Sequence, residues 1–218
     1  DFGQAQPTAA DIRFTTPTGQ PLDFQLDHWN TTAGNAAFWV KIPRITGATR
    51  QEILLHWGNP QARNVATSDS PSPSNLVSNK VFSTANGFLS VWHLQQTVQD
   101  ETGTLTCEDR GTQPIAGIIG NARKFAGGQG IFGGEKIPNY PTGSQPHSTS
   151  VWFRATRPNS TLIAWGNEQA QGKVVMQFRS PPQIRMDCYF SGGNVAGDLP
   201  PDIRGEWTHV VHTYREGL

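Results

Sequence analysis

The groups with chemistry in them are scattered along this chain, and their spacing limits what they could do. His209 and His212 are the nearest two imidazoles in sequence. An offset of three sends them to opposite faces of a strand, and only a helix would bring them onto one metal ion. His209, two residues from Trp207, therefore reads as part of a packed strand. The clearest carboxylate pairs, Asp100-Glu101 and Glu108-Asp109, are adjacent residues in loops and point different ways. Glycoside hydrolysis needs two carboxyl groups about 5 to 9 Å apart across a cleft. Gly128-Gln129-Gly130-Ile131-Phe132-Gly133 fits GxGxxG by letter, but that fingerprint needs a preceding strand and a helix opening from it. Pro138 and Pro141 follow instead, and Glu135 separates Lys136 from the preceding glycine, so a glycine-rich turn is expected. Ser191-Gly192-Gly193 lacks the flanking glycine of a nucleophile elbow. No catalytic constellation emerges, and the expectation is a protein that is not an enzyme.

Two further residue types bear on binding and compartment. Exposed Trp and Tyr rings stack on sugar faces, with their polar tips held by hydrogen bonds. Trp39, Trp57, Trp92, Trp152 and Trp207 fall in strand-like runs and are expected to pack inside, which leaves Trp165 and Tyr140 as surface candidates for ligand contact. Cys107 and Cys188 are the only cysteines. They could form one disulfide closing a loop of about 80 residues, worth roughly 4 to 5 kcal/mol in the chain-entropy account; two buried thiols are the alternative.

The elements that must position these groups read as strands. Asp11–Phe14, Ala37–Ile42 and Glu52–Trp57 are short β-like runs between turn residues, and Gly58-Asn59-Pro60 stops the last of them. Residues 68–75 are polar and Pro/Ser-rich without periodicity, as in a solvated connection. They divide a small β domain at 1–80 from a larger one at 81–218. Beyond them, Gly87–Leu94 reads as a strand. Val151 and Phe153 alternate with Trp152 and Arg154, Val174, Met176 and Phe178 with Val175, Gln177 and Arg179, and Trp207–Tyr214 continues the pattern. Period-two alternation means one buried and one wetter face. The fold class expected is all-β, an antiparallel β-sandwich.

Two stretches carry a family resemblance. Asp11-Ile12-Arg13-Phe14, His28-Trp29-Asn30, Ala37-Phe38-Trp39-Val40-Lys41-Ile42-Pro43 and His56-Trp57-Gly58-Asn59-Pro60, in that order, resemble an uncharacterised bacterial envelope domain that often precedes a laminin-G-type domain. Val91-Trp92-His93-Leu94, Asp100-Glu101-Thr102-Gly103, Gly120–Gly127, Thr149–Phe153 and Gly205–Val211 are similar to the laminin-G-like jelly roll of the concanavalin A lectin/glucanase superfold. The family pattern continues past the last block, so an incomplete jelly roll is expected. The resemblance implies a noncatalytic fold that binds glycans or proteins, often around a structural calcium. Asp100-Glu101-Thr102-Gly103 matches the family's Asp-x-Ser/Thr-Gly loop, which makes Asp100 and Thr102 candidate calcium ligands. Calcium takes 6 to 8 oxygens, more than one short loop supplies, and a plain polar turn is the alternative. The Glu-x-Asp-x-Glu strand of glucanases is absent from the sequence.

Composition narrows the partners. Lys plus Arg and Asp plus Glu both number 17, so no charge excess draws the chain to nucleic acid or anionic lipid. Nor is there an apolar run of membrane-spanning length. The functional expectation is an extracytoplasmic binding or adhesion module for a glycan or an envelope protein, with its export signal outside this chain. The alternative is a structural or protein-interaction domain of a larger envelope assembly, such as one attached to proton-channel biopolymer-transport segments. A glycoside hydrolase fragment ranks below both.

Overall fold

A computed structural model of the chain describes residues 2–63, 78–142, 145–167, 169, 172–179, 183–187, 194–198 and 203–215. They are all-β: fourteen strands, all paired antiparallel, with one four-residue helix, α1 (Ser78–Val81), and one 3-10 turn at Thr84–Asn86. Among these residues no helix is long and apolar enough to cross a membrane. They group into two compact units, Asp1–Ile137 and Pro138–Leu218, so residues 81–137 fall with the N-terminal strands. The connection at 68–75 lies outside the described residues.

In the first unit, β1 (Arg13–Thr15) pairs with β4 (Leu54–His56), and β2 (Phe24–Asn30) pairs with β3 (Asn35–Val40). Alternation along β2 turns Phe24 and Leu26 toward Ile12, Phe14 and Leu22, and the rings of Phe14, Phe24 and Phe38 meet edge to face 5.1 to 6.2 Å apart. Further along lie β5 (Glu108–Arg110) with β8 (Gly130–Phe132), and β6 (Gln113–Ala116) with β7 (Asn121–Lys124). The glycine-rich GxGxxG stretch thus runs into strand β8 and opens no helix; the Arg110 guanidinium lies 4.2 Å over the Phe132 ring.

The expected strand at Gly87–Leu94 does not form. Its backbone is engaged elsewhere: the Val91 amide donates to the Asp100 carboxylate at 2.9 Å, the Val91 carbonyl accepts from the Glu101 amide at 2.7 Å, and Leu94 turns through a positive φ of 57°. Apolar alternation could not reveal that a buried side chain competes for those groups.

A second buried carboxylate ties the start of the unit together. Asp11 accepts the Gln6 amide at 2.9 Å and the Gly58 amide at 2.6 Å. Burial alone would raise its pKa, yet the backbone donors outweigh burial and hold the carboxyl below its ordinary value. A depressed folded pKa adds stability that is complete above the unfolded value, about 3.9, and is lost as pH falls through the folded one. The first unit is therefore expected to lose urea resistance below about pH 4, and Asp11→Asn to lower its resistance at pH 6 and flatten that dependence. Denaturation midpoints at pH 6 and pH 3 check this.

The second unit has two layers. One is a four-stranded sheet of β10 (Ser160–Gly166), β11 (Lys173–Phe178), β12 (Gln183–Asp187) and β13 (Asn194–Asp198), and the other is a ladder of β9 (His147–Phe153) with β14 (Thr208–Tyr214). Phe153, Val151 and Val210 from the ladder share one core with Val174, Met176 and Phe178 from β11, which is the face-to-face packing of a sandwich. Alternation held on β9, where Phe153 is buried and Trp152 is 52% exposed, but not on β11, where Val175 is buried as well as its neighbours. Three tryptophans expected inside are instead exposed: Trp39, Trp57 and Trp152.

Candidate functional site

A group of polar side chains with long-range partners lies in the first unit, and a β-bulge shapes it. Leu26 pairs with Phe38 and His28 with Ala37, so Asp27 is the extra residue on β2. Bulges re-aim side chains. Gln25, alternating with the core residues Phe24 and Leu26, faces away from the phenylalanine cluster, and Asp27 follows it into a cleft of about 480 Å³. His93, Gln95, Glu101 and Asn121 complete its wall.

Each carboxylate in the cleft is held by a named partner. Asp27 accepts the Trp39 indole N–H on Oδ2 and the Gln95 amide on Oδ1, both at 2.9 Å. Gln95 in turn accepts the Asn121 backbone amide at 2.6 Å and donates to the Ile119 carbonyl. Glu101 accepts the Gln25 amide on Oε2 at 2.7 Å. Burial pushes the Glu101 carboxyl above the usual carboxylate range; His93 and the Gln25 bond pull the other way, and the negative charges of Asp27 and Asp100 add to the rise. His93 is stacked on Trp39 at 5.5 Å and lies edge-on to Phe82, and its Nε2 has no hydrogen-bond partner among the described residues; nor has Gln25 Oε1.

A second cleft of about 540 Å³ shares His28 and Asn121 with the first and extends along Asn30, Asn35 and residues 117–120. Gly120 stands at their junction. It has φ +58°, and a Cβ there would lie 2.6 Å from Gln95 Oε1 and 2.9 Å from His28 Nδ1, so only glycine lets both side chains approach the backbone.

The Asp100 loop supports this cleft from behind. Asp100 is 1% exposed. Its Oδ1 accepts the amides of Val91 and Thr102, and its Oδ2 accepts the Thr102 hydroxyl and the amides of Thr104 and Leu105. Five donors saturate a carboxylate, which offers about four lone-pair sites. Asp100 and Thr102 thus organise the turn that presents Glu101, and a cation would have to displace those donors. Among the described residues no three His, Cys, Asp or Glu side chains gather as a metal set. Glu108 pairs with Arg110, while Asp109 binds Thr112 and Arg123, so the second carboxylate pair is likewise engaged in strand contacts.

The remaining candidates lie elsewhere. Trp165 is half-buried against the second core, donates its indole N–H to the Pro141 carbonyl at 2.8 Å, and meets Tyr140 edge-on at 5.8 Å. The structure places the two rings against each other, and Trp165 has the packing role expected of the other tryptophans. Cys107 accepts the Trp92 indole N–H on Sγ at 3.2 Å; Cys188, and with it the disulfide, lies outside the described residues. The cleft is not legible in the sequence, because Gln25 and Glu101 are 76 residues apart and amides carry no motif.

Residues 8–75 match the model of a domain of unknown function (DUF2341). That span holds β1 to β4 and the cleft residues Gln25, Asp27 and His28, but none of the wall contributed by residues 93–121. No curated protein matches the chain, and no solved structure does.

Proposed function

We propose that the chain is a noncatalytic, extracytoplasmic binding module whose first unit holds a glycan in the cleft between β2 and residues 93–101. The observation that carries this reading is the chemistry of the cleft wall. Amides and carboxylates at fixed positions offer paired donors and acceptors to vicinal hydroxyls. Two clefts joined at His28 and Asn121 suit an extended oligosaccharide better than a single sugar. Binding without hydrolysis is favoured because both oxygens of Asp27 are already held, by Trp39 and Gln95, whereas glycoside cleavage needs two carboxyl groups free to act on the substrate. For the second unit we propose a laminin-G-like jelly roll; its two sheets around one core support that assignment.

Screening the chain on a glycan array tests the reading. Binding is expected, and Glu101→Gln is expected to weaken it up to about tenfold by replacing the charged acceptor that orients Gln25 with a neutral amide. Trp165→Ala is expected to leave affinity unchanged. An array without any binding by the folded chain contradicts the proposal.

A protein-interaction role is favoured by one observation, the exposed row of Trp152 and Val211 on the outer face of the β9–β14 ladder.

A further inference from the structure

Gln25, Asp27, Gln95 and Glu101 commit most of their hydrogen-bonding groups to one another and to nearby backbone, and they leave two oxygens over. Asp27 has both oxygens bonded, to Trp39 and Gln95. Gln95 donates to Asp27 and the Ile119 carbonyl, and its oxygen accepts the Asn121 amide. Glu101 accepts from Gln25 on Oε2, and among the described residues nothing bonds its Oε1. A carboxylate oxygen only accepts, so the Gln25 nitrogen must face Glu101, which fixes where the carbonyl oxygen of the same amide lies. That oxygen, Gln25 Oε1, is buried without a hydrogen-bond partner among the described residues, on a side chain 2% exposed that lines the cleft. Buried acceptors without a partner are uncommon, because they give up the water that bonded them in the unfolded chain.

The charges agree with the oxygens. Asp27 and Glu101 both line the cleft, and no lysine or arginine does. Arg123 donates to the Gln96 carbonyl, but its guanidinium is committed to Asp109 and Thr112. Of the two imidazoles in the wall, His28 bonds Asn35 and His93 is stacked on Trp39; among the described residues neither is hydrogen-bonded to Glu101. Burial pushes the Glu101 carboxyl up, and the negative charges of Asp27 and Asp100 add to this against the pull of His93 and Gln25. A cation beside Glu101 would offset both effects.

We propose that this corner of the cleft takes the ammonium group of an amino sugar, with Glu101 and Gln25 as its acceptors. The inference rests on the glycan reading above and names the class of sugar. A protonated primary amine carries three N–H donors and a compact positive charge. The two oxygens belong to groups already joined by a 2.7 Å bond, which keeps both acceptors at one corner for a single nitrogen to meet. A hydroxyl at the same ring position gives one hydrogen and no charge. An acetamide also gives one hydrogen, and adds an acetyl group that neither acceptor can bond.

Calorimetric titration of the full chain with three hexamers tests this: β-1,4-linked glucosamine, N-acetylglucosamine and glucose, which differ only in the group on C2. With its amines protonated, the glucosamine hexamer is expected to bind at least about tenfold more tightly than the other two, in line with a hydrogen bond between charged groups. This comparison uses the native chain and needs no variant to fold. Glu101→Gln is expected to bring the glucosamine hexamer down to the level of the others. Glu206→Gln, at an exposed carboxylate of the second unit, is expected to leave the preference intact. Equal or weaker binding of the glucosamine hexamer, a preference that survives in folded Glu101→Gln, or an equal loss in Glu206→Gln would each overturn the inference. In those cases binding of a neutral glycan keeps the cleft reading standing without the ammonium, whereas a chain that binds no glycan at all overturns both.

Discussion

Asp100→Ala is expected to destabilise the first unit by about 3 kcal/mol, because it leaves buried donors without acceptors at about 1 to 3 kcal/mol each, part of which water recovers as the loop opens. The carboxylate joins Val91 on one side of the loop to Thr102, Thr104 and Leu105 on the other. Asp100→Asn is expected to be nearly as severe. Whichever oxygen position the amide nitrogen takes, it faces at least two N–H or O–H donors. Urea denaturation followed by hydrogen exchange of residues 89–105 measures both. The same arrangement makes a calcium prediction: millimolar calcium is expected to leave the melting temperature unchanged, since both carboxylate oxygens are occupied. A large calcium-dependent rise that Asp100→Ala abolishes would instead assign the loop to the metal.

Phe178→Ala is the other large effect. Phe178 is fully buried on β11, which is paired on both sides, and it packs against Phe153 at 5.7 Å. Truncating such a ring costs about 3 to 5 kcal/mol through lost burial and the cavity it leaves. A domain of ordinary stability has only about 5 to 15 kcal/mol in all, so the second unit is expected to lose a large share of its stability. Amide exchange of β11 and β9 reads this out; protection retained at the native level would mean that the two layers do not depend on their shared core. Met176, equally buried one turn of the alternation away, offers an independent check through Met176→Ala.

What could be read from sequence follows from which forces are local. Alternation gave β9, β11 and β14, since one face of each strand meets the core and the pattern is written in successive residues. It failed at Gly87–Leu94, where an aspartate several residues away captures the backbone, and at Val175, where a paired inner strand is covered beyond the face that alternation predicts. Position in a strand-like run places the tryptophans inside, yet an indole N–H needs a partner. Trp165 finds one in the Pro141 carbonyl and is drawn inward, whereas Trp39 finds Asp27 and remains partly exposed beside the cleft. The cleft itself depends on a bulge at Asp27 and on contacts across 68 to 76 residues. A bulge is not visible without the partner strand.

In the proposed reading, ligand enters the cleft at β2. Titrating the isotopically labelled chain with an oligosaccharide selected on the array, while following the tryptophan indole N–H resonances, tests it most directly. Trp39 donates to Asp27 at the cleft wall, so its signal is expected to shift and saturate, with Trp152 and Trp165 stationary. Shifts confined to Trp152 or Trp165 would contradict the account and move the binding surface to the second unit.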